Sequence, residues 1–260
     1  MNNIAVFLFA HQDDEFGVYA EMDRLIATGV RIVAIYLTSG NLNGQPCQER
    51  DNESLAVLAD MGVMRDDIYF LGKELHIPDG RLYEHLDRVY QATAHLLNSF
   101  TEPVILYFLA WEGGHQDHDA VHLIGLALGE NFGVLNQSFQ FPLYTGNKLP
   151  WIFFKLFSPI SSNGAVISFK ISWRSRLRFI KYILSYKSQV STWIYLLPFV
   201  FLHYIFRGTQ LFQSVDIHRV LRSPHSGKLL YERRGVASYH KFYIEVEPFI
   251  NSNLFQTNQD

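Results

Sequence analysis

The chain has 260 residues, 48% hydrophobic and 18% charged, a balance that argues against disorder and allows a sizeable core. Its formal charge of -3 points to no particular partner, while 15% aromatic residues imply an apolar surface somewhere. The single cysteine, Cys47, excludes an intrachain disulfide and a Cys-rich zinc site and fits a reducing, cytoplasmic setting.

The apolar run Ile4 to Phe9 reads as a buried strand, too short for a signal segment and without a basic stretch before it, so the mature chain is expected to start near Met1. A helix from about Glu15 to Thr28, capped by Gly29, and a strand from Arg31 to Leu37 complete a β-α-β unit. The Gly/Asn-rich loop Thr38 to Gly44 precedes a helix holding Arg50 to Met61. Next come a strand from Asp67 to Leu71, the turn Pro78-Asp79-Gly80, a helix from about Tyr83 to Leu97 and a strand from Val104 to Leu109. A helix from about Asp117 to Leu128 follows. This alternation predicts an α/β fold, a Rossmann-like, mainly parallel sheet flanked by helices.

Two polar clusters sit where these strands end: Ala10-His11-Gln12-Asp13-Asp14-Glu15 and Glu112-Gly113-Gly114-His115-Gln116-Asp117-His118-Asp119. Ligand crevices form at the carboxyl ends of the strands of an open sheet, so both clusters can face one crevice. His11 and Asp14 are three residues apart, as are His115 and His118, so one turn of chain points each pair the same way. Two imidazoles with one carboxylate suit zinc, leaving positions for water and substrate; iron(II) accepts the same donors. Asp13, His115 and Asp117 also suit helix-start caps, and Asp79 is first a turn former. No Gly-x-Gly-x-x-Gly, Walker or Gly-x-Ser-x-Gly pattern is present, so neither a nucleotide fold nor serine hydrolysis is supported, and no nucleic-acid partner is expected.

The two clusters resemble the Ala-His-Pro-Asp-Asp-Glu and His-Pro-Asp-His motifs of the PIG-L/LmbE-like family of zinc-dependent N-acetyl-sugar deacetylases, with Gln12 and Gln116 standing where that family has proline. Arg50 and Glu53 resemble its Arg-x-x-Glu segment, Asp79-Gly80 its Asp-Gly turn, and Lys181 to Gln189 a family helix ending in Ser-Gln. The resemblance implies zinc, or iron(II), held by His11, Asp14 and His118, with Asp13 as general base. It also implies that a protonated His115 stabilises the oxyanion, that Asp117 holds the His115 imidazole, and that Arg50 and Asp79 bind substrate. Glu15, Glu112, Asp119 and His122 read as structural or outer groups.

The whole chain, 1–260, is read as one deacetylase domain, with the α/β core and both motifs in 1–135 and a different character in 136–260. Between Trp151 and His240 the only acids are Asp216 and Glu232, among thirteen Lys and Arg residues. The implied substrate is therefore an N-acetylhexosamine that bears phosphate or lipid, released as a free amine with acetate; the alternatives are another sugar-linked amide or a non-catalytic sugar-binding relative. Trp193 to Phe206 is almost wholly apolar but short of the roughly 20 residues that span a bilayer, so it reads as buried or interfacial, which allows peripheral membrane contact. Val215 to Val246 reads as short strands forming an edge hairpin or two. The oligomeric state is left open.

Overall fold

A computed structural model describes residues 3–41 and 47–255. Leu42 to Gly44, the end of the expected Gly/Asn-rich loop, lie outside the described residues. The strands are β1 (Ile4–Phe9), β2 (Arg31–Tyr36), β3 (Ile68–Tyr69), β4 (Val104–Leu109), β5 (Phe139–Phe141), β6 (Tyr144–Thr145), β7 (Lys155–Leu156), β8 (Val166–Lys170) and β9 (Thr209–Ser214). The helices are α1 (Tyr19–Ala27), α2 (Gln48–Met61), α3 (Leu71–Glu74), α4 (Leu86–Leu97), α5 (Gln116–Asn131), α6 (Trp173–Ile183), α7 (Val190–Leu202), α8 (Leu230–Arg233) and α9 (Tyr239–Asn253).

Seven strands form one sheet in the order β3-β2-β1-β4-β5-β9-β8. The pairs among β3, β2, β1, β4 and β5 are parallel, whereas β9 runs antiparallel to both β5 and β8. Every residue of β1 is buried, as expected of a central parallel strand covered on both faces. Its register sets Phe9 beside Tyr36 and Leu8 beside Phe108, so the loops after β1, β2 and β4 leave from one edge. The α/β reading therefore holds. Residues 139–214 extend the same sheet as the first half, with β6 and β7 forming a separate small ribbon.

Several expected elements differ. The helix expected from Glu15 begins as a tight 3-10 turn, Asp14–Gly17, and turns α-helical only at Tyr19. The expected strand Asp67 to Leu71 keeps only Ile68–Tyr69, because α3 starts at once. The family-like helix ending in Ser-Gln is divided: α6 stops at Ile183, and Lys187–Gln189 is a 3-10 turn leading into α7. Val215 to Val246 holds no strand among the described residues. It folds as the 3-10 turn Ile217–Leu221, α8 and most of α9, because Phe242, Val246, Phe249 and Ile250 recur at helical spacing and bury one face.

Candidate active site

Asp13 occupies the tightest point of the first motif. Its φ is 119°, left-handed backbone that a side chain disfavours by about 1–3 kcal/mol. The strain is held by Glu15, whose Oε2 accepts the Asp13 N–H at 2.9 Å. Glu15 is fully buried, and its Oε1 accepts the hydroxyls of Tyr36 and Tyr186. Its role is structural, as expected, but it works through this buried network rather than at the first turn of an α-helix.

Asp14 turns back onto its own strand end, with Oδ2 accepting the N–H groups of Ala10 (3.0 Å) and His11 (2.8 Å). Its other oxygen, Oδ1, lies 3.2 Å from His118 Nε2, and Oδ2 lies 3.5 Å from His11 Nδ1. The carboxylate thus stands between the two motifs. Burial opposes its charge, but His118 and His11 outweigh that and hold its pKa well below the usual range. Burial likewise opposes a charged His11, yet Asp79, Asp14 and Asp117 together raise its pKa well above the usual value.

The second motif opens α5. His115 is its N-cap, and His115 Nδ1 accepts the backbone N–H of Asp117 at 3.2 Å. The resemblance implied that the Asp117 carboxylate holds the His115 imidazole, but it is engaged elsewhere. Its oxygens take the N–H groups of Gly80 and Leu82 and the Nε2 of His11, the last at 3.1 Å. Asp117 is therefore the orienting group of the first motif's histidine, and it ties that histidine to the Pro78–Gly80 turn. Protonated His115 is also not what the site favours: burial and then the neighbouring His11 push its pKa down to about 3. With Nδ1 accepting, the neutral ring carries its proton on Nε2.

The donors of His11, His115 and His118 lie within 4.8 Å of one another, the group of this kind among the described residues. The fit to a divalent cation can be judged from His118, whose two ring nitrogens are buried without a hydrogen-bond partner, although Nε2 approaches Asp14 Oδ1. An unpartnered buried imidazole is costly, and a cation held with the Asp14 oxygen relieves it. His11 suits the same arrangement, since Asp117 holds its Nε2 and leaves Nδ1 on the Asp14 side, an orientation typical of ligating histidines.

Arg50 reaches this centre from α2. It donates to the carbonyls of Gly40 and Gln12, to Asp79 Oδ2 at 3.1 Å and to Asp13 Oδ1 at 3.4 Å. Burial pushes the Asp13 carboxyl up to about 8, against the pull of the Arg50 guanidinium. The glutamines in the two motifs replace ring rigidity with side-chain ties: Gln12 Nε2 donates to Asp51 at 2.8 Å and Gln116 Nε2 to the Gly80 carbonyl at 3.2 Å. Gly40, beside Gln12, has a φ of 77°, left-handed backbone that a side chain rarely adopts.

These groups line a cavity of about 280 Å³ that holds His11, Asp13, Asp14, Arg50, Asp79, His115 and His118. Asp117 lies behind it, against His11. The sequence reading missed Tyr144, Gln189, Thr192 and Arg234, which line the same cavity. Tyr144 is set by Glu112, whose Oε1 accepts the N–H groups of Leu143 and Tyr144, and by Gly114, where a Cβ would stand 2.0 Å from the Tyr144 carbonyl oxygen. Gln189 follows Ser188, which docks on Glu53 of α2; the Ser-Gln pattern pointed to this segment without marking Gln189 as a wall. Arg234 stands 5.9 Å from the Tyr144 ring and 5.7 Å from that of Phe154, and no local motif distinguishes it from the arginine before it.

Residues 6–128, which carry both motifs, match the family model described as PIG-L: GlcNAc-PI de-N-acetylase. This segment is a PIG-L-type domain. The fold is similar to that of the conserved protein TT1542 from Thermus thermophilus, with 19% identity, a TM-score of 0.57, and coverage of 82% of this chain and 94% of that one. The A40926 pseudoaglycone deacetylase Dbv21 is similar at 14% identity and a TM-score of 0.59, over 83% of this chain and 97% of that chain. The N,N'-diacetylchitobiose deacetylase from Pyrococcus horikoshii is similar at 16% identity and a TM-score of 0.56, over 82% and 83%. No curated protein sequence matches the chain. At these identities the likeness is one of fold, and the PIG-L-type domain here is continued by β5, β8 and β9 in the same sheet.

Proposed function

We propose that the chain is a metal-dependent N-deacetylase that removes the acetyl group from an N-acetylhexosamine carried on a nucleotide or lipid. The reading rests on one observation above all: His11, Asp14 and His118 meet in a cavity that Asp13 and His115 also line. The PIG-L-type domain and the deacetylases among its fold relatives support it.

His11, Asp14 and His118 would hold zinc, or iron(II), which when bound supplies Lewis acidity at the reacting acyl group. Asp13 is the general base. As a carboxylate it takes a proton from water as that water adds to the acetamide carbonyl, and it returns the proton to the departing nitrogen as the C–N bond breaks. The products are acetate and a free amine. Neutral His115 donates its Nε2 proton in a hydrogen bond to the oxygen on which charge develops. Arg50 and Asp79, an ion pair on the same wall, meet the sugar as a unit, and the Arg50 guanidinium partly offsets the burial that raises the Asp13 pKa, which favours its carboxylate form. Arg234, exposed at the rim, suits a phosphate on the substrate.

The test is acetate release from a panel of free, nucleotide-linked and lipid-linked N-acetylhexosamines, followed by amine detection. Release of both products from at least one N-acetyl sugar, lost in Asp13→Asn, is expected. Turnover of only other sugar-linked amides would move the reading to an amidase of different acyl specificity.

A further inference from the structure

The apolar stretch of the C-terminal part forms α7, which continues as a π-helical turn, His203–Arg207. Trp193, Leu196 and Val200 are buried against the domain. The opposite side is left to solvent: Tyr195 is 73% exposed and Phe206 78%, with Ile194, Leu202 and Ile205 beside them. The loop before β7 adds Trp151, 75% exposed, together with Ile152 and Phe153. The two segments are neighbours, since Ile152 and Tyr195 line one groove of about 490 Å³ and the Phe154 and Phe199 rings are 4.9 Å apart. An apolar area of this size on a folded chain calls for an occupant.

The charge around it says which. No Asp or Glu occurs between Trp151 and Arg207. A second groove of about 450 Å³, beside the end of α7, places Lys155 and Arg207 among Phe154, Phe199, Leu202 and Phe206. Arg234 lines the outer groove with Ile152 and Tyr195. Exposed aromatics with bases at their edge and no acid match an anionic lipid surface, where rings enter the headgroup layer and the bases meet phosphates. Among the described residues no helix is long and apolar enough to cross a membrane, so the contact is with the surface.

We propose that the exposed side of α7 and the 151–153 loop form a docking face for the surface of an anionic lipid bilayer. Tyr144, Thr192, Leu196 and Arg234 belong both to the outer groove and to the candidate active-site cavity, so docking sets the mouth of that cavity at the lipid interface. The inference stands on surface chemistry and does not depend on the deacetylase reading.

The experiment is vesicle co-sedimentation of the full chain, with vesicles of phosphatidylcholine alone or mixed with phosphatidylglycerol. The expected result is binding to the mixed vesicles about tenfold stronger than to the neutral ones, falling with added salt. Tyr195→Ser with Phe206→Ser, and separately Lys155→Gln with Arg207→Gln, should each weaken it about tenfold while circular dichroism stays unchanged. Failure of the wild-type chain to sediment with mixed vesicles at low salt would overturn the proposal. So would a stable dimer by light scattering that the Tyr195 and Phe206 changes dissolve without affecting lipid binding, since a second copy would then cover the face.

Discussion

The Asp13 N–H donates to Glu15 Oε2 at 2.9 Å, so a buried carboxylate two residues away fixes the backbone of the proposed general base in a left-handed turn. Glu15 is itself fixed by phenols from β2 and from the segment between α6 and α7, Tyr36 and Tyr186. Three regions of the chain thus converge on the conformation of one residue.

Glu15→Gln is expected to test this. An amide cannot accept on both sides, so either the Asp13 N–H or the two phenols face a donor. Stability should fall by about 1–3 kcal/mol in urea titrations, and acetate release about tenfold, with metal content unchanged. Full activity in a folded Glu15→Gln variant would show that the turn holds without it.

Asp13→Asn should separate chemistry from metal binding. The amide keeps the shape and loses the base, so turnover should fall about 10²- to 10⁴-fold while metal per chain stays as in the wild type. Near-normal turnover would transfer the role of base to another group.

Gln12→Ala removes the partner of Asp51, whose other oxygen meets Lys73 at 2.6 Å. One buried carboxylate oxygen is then unsatisfied, and a loss of about 1–2 kcal/mol is expected in chemical denaturation. An unchanged midpoint would mean that the loop between β1 and α1 does not need this tie.

His122 gives stability a defined pH dependence. It is buried on α5 with Nδ1 2.9 Å from the Leu109 carbonyl oxygen, and burial pushes its pKa down to about 4. The unfolded chain takes up this proton near pH 6.5 and the folded chain only near 4, so the stabilisation is complete above about 6.5 and is lost as pH falls toward 4, at about 1.4 kcal/mol per pH unit. His122→Gln, which keeps a donor for the carbonyl but titrates nothing, should flatten the pH profile of the urea midpoint by about one proton. Equal slopes in the two proteins would assign the acid sensitivity elsewhere.

Much of the core was legible because it is local. Ile4 to Phe9, Arg31 to Leu37 and Val104 to Leu109 are near-continuous apolar runs, and parallel connection then places His11 and His118 at one edge. The partner of Asp117 was not legible, since the choice between His115, two residues away, and His11, 106 residues away, is made by the Gly80 turn. Tyr186 and Glu15 are 171 residues apart, and nothing near Tyr186 announces that contact. In α9 the apolar residues are interleaved with polar ones at first glance, so a strand was expected, while the burial of Phe242, Val246 and Phe249 follows the helical period. Exposure explains the rest: that α7 buries only one side depends on what packs against it.

The central claim is that the two motifs build one metal centre, and metal content measures it most directly. Elemental analysis of chelator-free wild-type protein beside His118→Ala should find about one zinc or iron per wild-type chain and little in the variant. A wild-type chain that holds no metal, even after zinc is added, would contradict it and leave a sugar-binding fold without the hydrolytic chemistry.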